Sequence, residues 1–155
     1  IYWRIDIVSH QRFRTVVKGL ITHRGRVLIG KKEEDDDHPI GGKWHILGGR
    51  LEKGEQPEEA VKREVKEETG LSVDVHQVVD ISTFAWEEGE NDSIQIFYHV
   101  ESDKEDAEAL DDLDEVKWVD PEDLREELSD NEASRFDDRD NLDKFVEKMI
   151  KAPVF

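Results

Sequence analysis

Hydrophobic positions along this chain change their period several times. Over Pro57–Thr69, Ala60, Val61 and Val65 recur at helical spacing and leave another face to charged side chains. Pro57 suits the first helical turn, Glu58 and Glu59 favour the positive end of the macrodipole, and Gly70 supplies a stop after Thr69. Further along, Ser72–Phe84 and Ser93–Val100 show the mixed alternation of strands, and the polar segment Glu87–Asp92 between them suits a hairpin turn. Glu115–Val119 reads as another short strand. Pro121–Leu128 opens with an acidic turn and sets Leu124 and Leu128 at helical spacing, and Asn141–Lys151 does the same with Leu142, Phe145, Val146 and Ile150. With no internal repeat and no clear linker, residues 1–155 are expected to form a single domain large enough to bury a real core.

The charged face of the Pro57–Thr69 helix is more specific. Glu64, Glu67 and Glu68 stand at i, i+3 and i+4, so all three carboxylates project from one side. Each like-charge pair at that spacing costs an isolated helix about 0.2–0.5 kcal/mol, and a cation is the natural remedy. Hard divalent ions such as Mg²⁺ take oxygen ligands, keep several waters and bridge carboxylates to phosphates. Arg63 and Glu55 offer a second layer, in which a planar guanidinium holds a carboxylate in bidentate geometry. Upstream, Gly48, Gly49 and Gly54 allow the backbone to approach a ligand closely or to turn with positive φ. A solvated acidic face would explain Glu67 and Glu68 taken alone. It does not explain Gly49, five residues, Glu55, seven residues, Arg63-Glu64, an aliphatic Val65, Lys66, Glu67-Glu68, Thr69, Gly70 and an aliphatic Leu71.

That arrangement, Gly49–Leu71, resembles the Nudix box of the MutT-related hydrolases at every defining position. The resemblance implies an α/β fold, a Nudix-type α/β/α sandwich with a central mixed β-sheet and the box helix on one side. Its apolar strand, hairpin, second strand and tryptophan-containing approach to the glycine loop would correspond to Val16–Thr22, Arg26–Lys32 and Lys43-Trp44-His45-Ile46. Leu47 stands where many members carry proline, which bears on loop rigidity more than on chemistry. The implied reaction is hydrolysis of a nucleoside diphosphate linked to another moiety, by water attack on phosphorus with divalent metal assistance, Mg²⁺ or alternatively Mn²⁺. Carried over residue by residue, the main-chain carbonyl of Gly48 and the carboxylates of Glu64, Glu67 and Glu68 would hold metal, and Arg63, Glu64 and Glu67 would be catalytic.

Other site residues follow with alternatives open. Glu101, at the end of the 93–100 strand, resembles the downstream metal-binding glutamate of MutT-type enzymes; it reads equally as an exposed strand-end carboxylate. The general base is Glu64, as in MutT-type members, or a distal glutamate, Glu101 or Glu115. Lys31 and Lys32 stand where similar proteins set a basic residue against phosphate, or are a solvated strand end. Gly49 and Trp44 complete the expected substrate-binding set. Trp44, Phe84, Trp86, Phe97, Tyr98 and Trp118 are candidates for base stacking, with core packing the better account of each alone. Trp86-Glu87-Glu88 stand in the region where ADP-ribose hydrolases of the family often carry proline, and the tyrosine that marks the dinucleoside polyphosphate and coenzyme A branches is absent there. The resemblance therefore points to a MutT-like nucleoside triphosphate pyrophosphohydrolase. The alternatives are an ADP-ribose or nucleotide-sugar pyrophosphatase and a non-catalytic, nucleotide-binding regulatory domain, the last disfavoured by the intact carboxylate set.

Composition narrows the partners. A formal net charge of −18 and a pI near 4.6 repel nucleic-acid phosphates, so no direct duplex binding is expected, while a small nucleotide carrying its own Mg²⁺ is compatible. Acidic stretches at Glu33–Asp37, Asp103–Glu115 and Ser129–Asp143 read as solvated faces, compatible with life in high salt. The absence of cysteine excludes disulfides, zinc-thiolate sites and a cysteine nucleophile. No histidine pair has metal-ligand spacing. With no long apolar run and no secretory pattern in IYWRIDIVSHQRFR, a soluble cytoplasmic protein without membrane contact is expected.

Overall fold

The computed structural model describes residues 13–34, 41–86, 91–129 and 140–151. Of the expected turn at Glu87–Asp92, residues 87–90 lie outside this description, as do the acidic residues at 35–37 and 130–139 and the side chain of Trp86, while Asn91 and Asp92 are already paired as strand.

Strands β1 (Phe13–His23) and β2 (Arg26–Lys32) form an antiparallel hairpin closed by Arg24 and Gly25, both at positive φ (50° and 77°), as a two-residue hairpin turn requires. Register holds from His23↔Arg26 to Ile21↔Leu28, after which the two strands part. The next segment fills the split. β3 (Trp44–His45) pairs with β2 at Gly30 and Lys31, the chain reverses at Ile46 and Leu47, and β4 (Gly48–Arg50) pairs with β1 at Val16–Lys18. A bond from the Gly19 N–H to the Leu47 carbonyl (2.8 Å) closes the reversal. Helix α1 (Pro57–Thr69) follows, then β5 (Val73–Trp86), β6 (Asn91–Ser102) and β7 (Leu113–Val119). A 3₁₀ turn at Pro121–Asp123 leads into a short α2 (Leu124–Glu127), and α3 is Asp140–Lys151.

Among the described residues these strands make one seven-stranded mixed sheet, with β1 and β6 parallel and the remaining pairs antiparallel. Its central strands are buried on both faces, so their hydrophobic runs are nearly continuous. Val17, Ile21, Leu28, Tyr98 and Val100 point to Ala60, Val61 and Val65 of α1. Leu20, Val27, Ile29 and Phe97 point the opposite way, to Leu124, Leu128, Leu142 and Val146 of α2 and α3. The result is the expected α/β/α sandwich.

Helix α1 keeps its expected limits. Glu59 accepts from the Gln56 N–H (3.4 Å) at its start, and Gly70 ends it in the left-handed region (φ 78°). The expected helix at 121–128 divides into a 3₁₀ turn and one α turn, because Pro121 begins a tight turn and Leu128 is already extended. No helix of the described residues is long and apolar enough to cross a membrane.

Candidate active site

Arg63 is the organising side chain. Its Nε and one terminal nitrogen donate to both oxygens of Glu55 (2.7 and 3.1 Å), a bidentate clamp between helix and loop. The other terminal nitrogen donates to Glu64 Oε1 (2.9 Å) and Glu67 Oε2 (3.2 Å) and lies 3.7 Å from Glu52. A further bond to the Arg50 carbonyl (3.0 Å) ties the helix to β4, the strand that carries the two glycines. The guanidinium holds Glu55 below the usual carboxylate range, helped by the Glu52 N–H.

The two glycines of β4 are where backbone and carboxylates meet. A Cβ on Gly49 would fall 2.4–2.5 Å from the Glu64 carboxylate, so glycine leaves the room that Glu64 occupies. A Cβ on Gly48 would stand 2.0 Å from the Val17 carbonyl oxygen, so this residue must lie flat against β1. Glu64 and Glu68 are close enough for the charge of each to bear on the other. Burial raises the pKa of Glu64, with Arg63 opposing. Burial, then the charge of Glu64, pushes Glu68 up to about 8, against the lowering effect of Lys18. Glu68 is 6 % exposed, and its Oε2 has no hydrogen-bond partner. A buried carboxylate oxygen without a donor, beside a second carboxylate, fits a hard divalent cation with oxygen ligands. Glu67, half exposed, turns outward to Arg63.

Several expected site residues lie elsewhere. On β6, Tyr98 and Val100 face α1 while Phe97 and His99 face α3, and Glu101 follows the second set by alternation. Its carboxylate lies 3.5 Å from His76 Nε2, and His76 stacks on His99. Glu115 is exposed on β7 opposite Lys31. Lys32 is ion-paired with Asp112, while Lys31 is half-buried next to Trp44 in the β2–β3 register. Trp44 packs against the α3-side core with Lys117 4.3 Å over its ring. Phe97 and Tyr98 are core, and the Trp118 indole donates to the Glu105 carbonyl (3.0 Å). The described residues bring three acidic ligand atoms within 4.8 Å of one another at Asp120, Glu122 and Asp123, an exposed turn outside the box.

Two neighbours of the site were not anticipated. Lys18, in the middle of β1, is buried and donates to the Ile46 carbonyl (3.0 Å). Its signal was a charge interrupting the apolar run Val16-Val17-Lys18-Gly19-Leu20-Ile21. The 105–112 loop docks on the end of α1 through Glu108 N–H to the Thr69 carbonyl (3.0 Å) and Leu110 N–H to the Glu68 carbonyl (2.9 Å). This brings the charge of Asp111, at φ 56°, to bear on Glu68. Nothing in that acidic stretch marked Asp111 out.

The family model described as the NUDIX domain matches residues 12–139, and the chain belongs to that family. It is accordingly a hydrolase acting on phosphoanhydride bonds, and the family generally uses a divalent metal. Nucleoside triphosphatase NudI of Escherichia coli K12 is 33% identical over 122 residues, which are 73% of this chain and 86% of that protein. The crystal structure of a MutT protein from Methanosarcina mazei Go1 has a TM-score of 0.70 at 25% identity, covering 83% of this chain and 96% of the other. A NUDIX hydrolase from Nitrosomonas europaea shares the fold with a TM-score of 0.71 at 17% identity, over 94% of this chain and 77% of its own.

Proposed function

We propose that this protein is a Mg²⁺-dependent, MutT-like nucleoside triphosphate pyrophosphohydrolase, working as one domain over residues 1–155 in the cytoplasm on small nucleotides. The observation that carries the reading is the Glu64–Glu68 pair: a buried Glu68 with one oxygen lacking a donor, and a partly buried Glu64 braced by an arginine that also holds Glu55. The likeness to a nucleoside triphosphatase supports the substrate class.

Glu64, Glu67, Glu68 and the Gly48 carbonyl would hold the cation. Bound there, Mg²⁺ neutralises phosphate charge and lowers the pKa of a water. Arg63 keeps Glu64 oriented and pairs with Glu55, and glycine at position 49 leaves the room that the Glu64 carboxylate occupies. Glu64, held by Arg63 and packed on Gly49, takes the proton of the attacking water. The water oxygen bonds to phosphorus as a bridging P–O bond breaks, giving a nucleoside monophosphate and pyrophosphate.

The test is product analysis on a panel of nucleoside triphosphates, oxidised nucleotides, ADP-ribose and nucleotide sugars, with Mg²⁺, Mn²⁺ or chelator. Metal-dependent monophosphate plus pyrophosphate is the expected result. Cleavage of ADP-ribose in preference to every triphosphate would overturn the substrate assignment.

A further inference from the structure

Lys18 and Glu68 are oppositely charged, both buried, and close enough for the lysine's charge to act on the carboxylate, yet they form no ion pair within 4.0 Å. Among the described residues the Lys18 ammonium makes one hydrogen bond, to the Ile46 carbonyl, and has two further N–H donors. Glu68 Oε2 likewise has no partner. Burying an ammonium and a carboxylate is costly unless each is satisfied, and were mutual neutralisation their role they would touch. Instead a spare donor and a spare acceptor are kept apart in one locus. Lys18 pairs with Gly48 across the β1–β4 register, one residue along from Gly49, which packs on Glu64, and its ammonium bonds the Ile46 carbonyl at the reversal into β4. A ligand satisfying both must present a cation to Glu68 and anionic oxygen to Lys18. A metal-bound phosphate does both.

We propose that Lys18 is a substrate-contacting residue of this site, its ammonium donating to a phosphoryl oxygen of the metal-bound nucleotide. This rests on reading the site as one that hydrolyses nucleotide phosphoanhydrides. The sheet delivers the charge from within, so its position is fixed and it needs no flexible surface lysine.

The test compares wild type with Lys18→Met, which keeps the aliphatic stem and removes the charge. Calorimetry measures binding of Mg²⁺ alone and of inorganic pyrophosphate with Mg²⁺, beside kcat and KM for the best nucleotide. Loss of a charged hydrogen bond predicts pyrophosphate binding at least about tenfold weaker and a raised KM, with Mg²⁺ alone bound as well as before or better. Pyrophosphate affinity within twofold of wild type overturns the proposal, as does wild type that binds no pyrophosphate. Lys18→Gln, which keeps a donor for the Ile46 carbonyl, is read in the same way should the methionine variant not fold. If wild type binds pyrophosphate through Lys18 but hydrolyses no nucleotide, this assignment stands and the proposed function fails.

Discussion

Glu68→Gln should stabilise the metal-free protein while abolishing its activity. The carboxyl is buried beside Glu64 and titrates near 8 in the fold, against 4.5 when solvated. For an acid with a raised folded pKa, the folded state is favoured most below pH 4.5, where the group is protonated in both states. Stability then falls as pH rises toward 8, because the unfolded chain releases its proton first, and levels off above. At pH 7 this costs the metal-free fold about 3 kcal/mol. Glutamine removes that cost but leaves the Lys18 charge with less compensation, so the net gain should be about 1–3 kcal/mol at pH 7–8 and vanish near pH 4.5. Urea unfolding in chelator at pH 4.5, 6, 7 and 8 measures it. Adding Mg²⁺ should raise the wild-type midpoint much more than the variant's, and turnover should fall by orders of magnitude. A variant less stable than wild type at pH 8, or a gap between them independent of pH, would refute the reasoning.

Gly49→Ala puts a methyl group into the Glu64 carboxylate, the movable end of a side chain, so the protein should fold with a melting temperature within a few degrees of wild type while kcat drops at least about tenfold. Gly48→Ala meets the Val17 backbone instead and should cost about 3 kcal/mol or more in urea unfolding. Arg63→Lys keeps a charge but loses the fork that joins Glu55, Glu64 and the Arg50 carbonyl, and should destabilise by about 1–3 kcal/mol in the same assay with a loss of turnover. Glu101→Gln should leave Mg²⁺ affinity, read by calorimetry, within twofold of wild type, since its carboxylate faces His76.

The sequence by itself determined what depends on near neighbours. Pro57 and Gly70 bound α1, the i, i+3, i+4 glutamates share its face, and the spacing of Glu55 to Arg63 lets one guanidinium clamp both loop and helix. Capping, helical period and reach along a few residues are local, and local chemistry is written in order along the chain. Only the tertiary structure decided matters of long-range pairing. Gly48–Arg50 is a strand because β1 and β2 part and leave backbone groups for it to satisfy, a partnership set some thirty residues away. The parallel register of β6 on β1, together with alternation, turned Glu101 to the face opposite Tyr98 and Val100, where its carboxylate meets His76. Lys18 and Asp111 reached the box by the same route: Lys18 through the Ile46 reversal, Asp111 through a loop docked on the last carbonyls of α1. A one-residue change in any of these registers would reverse which face each side chain takes, so their roles are set by the assembled sheet.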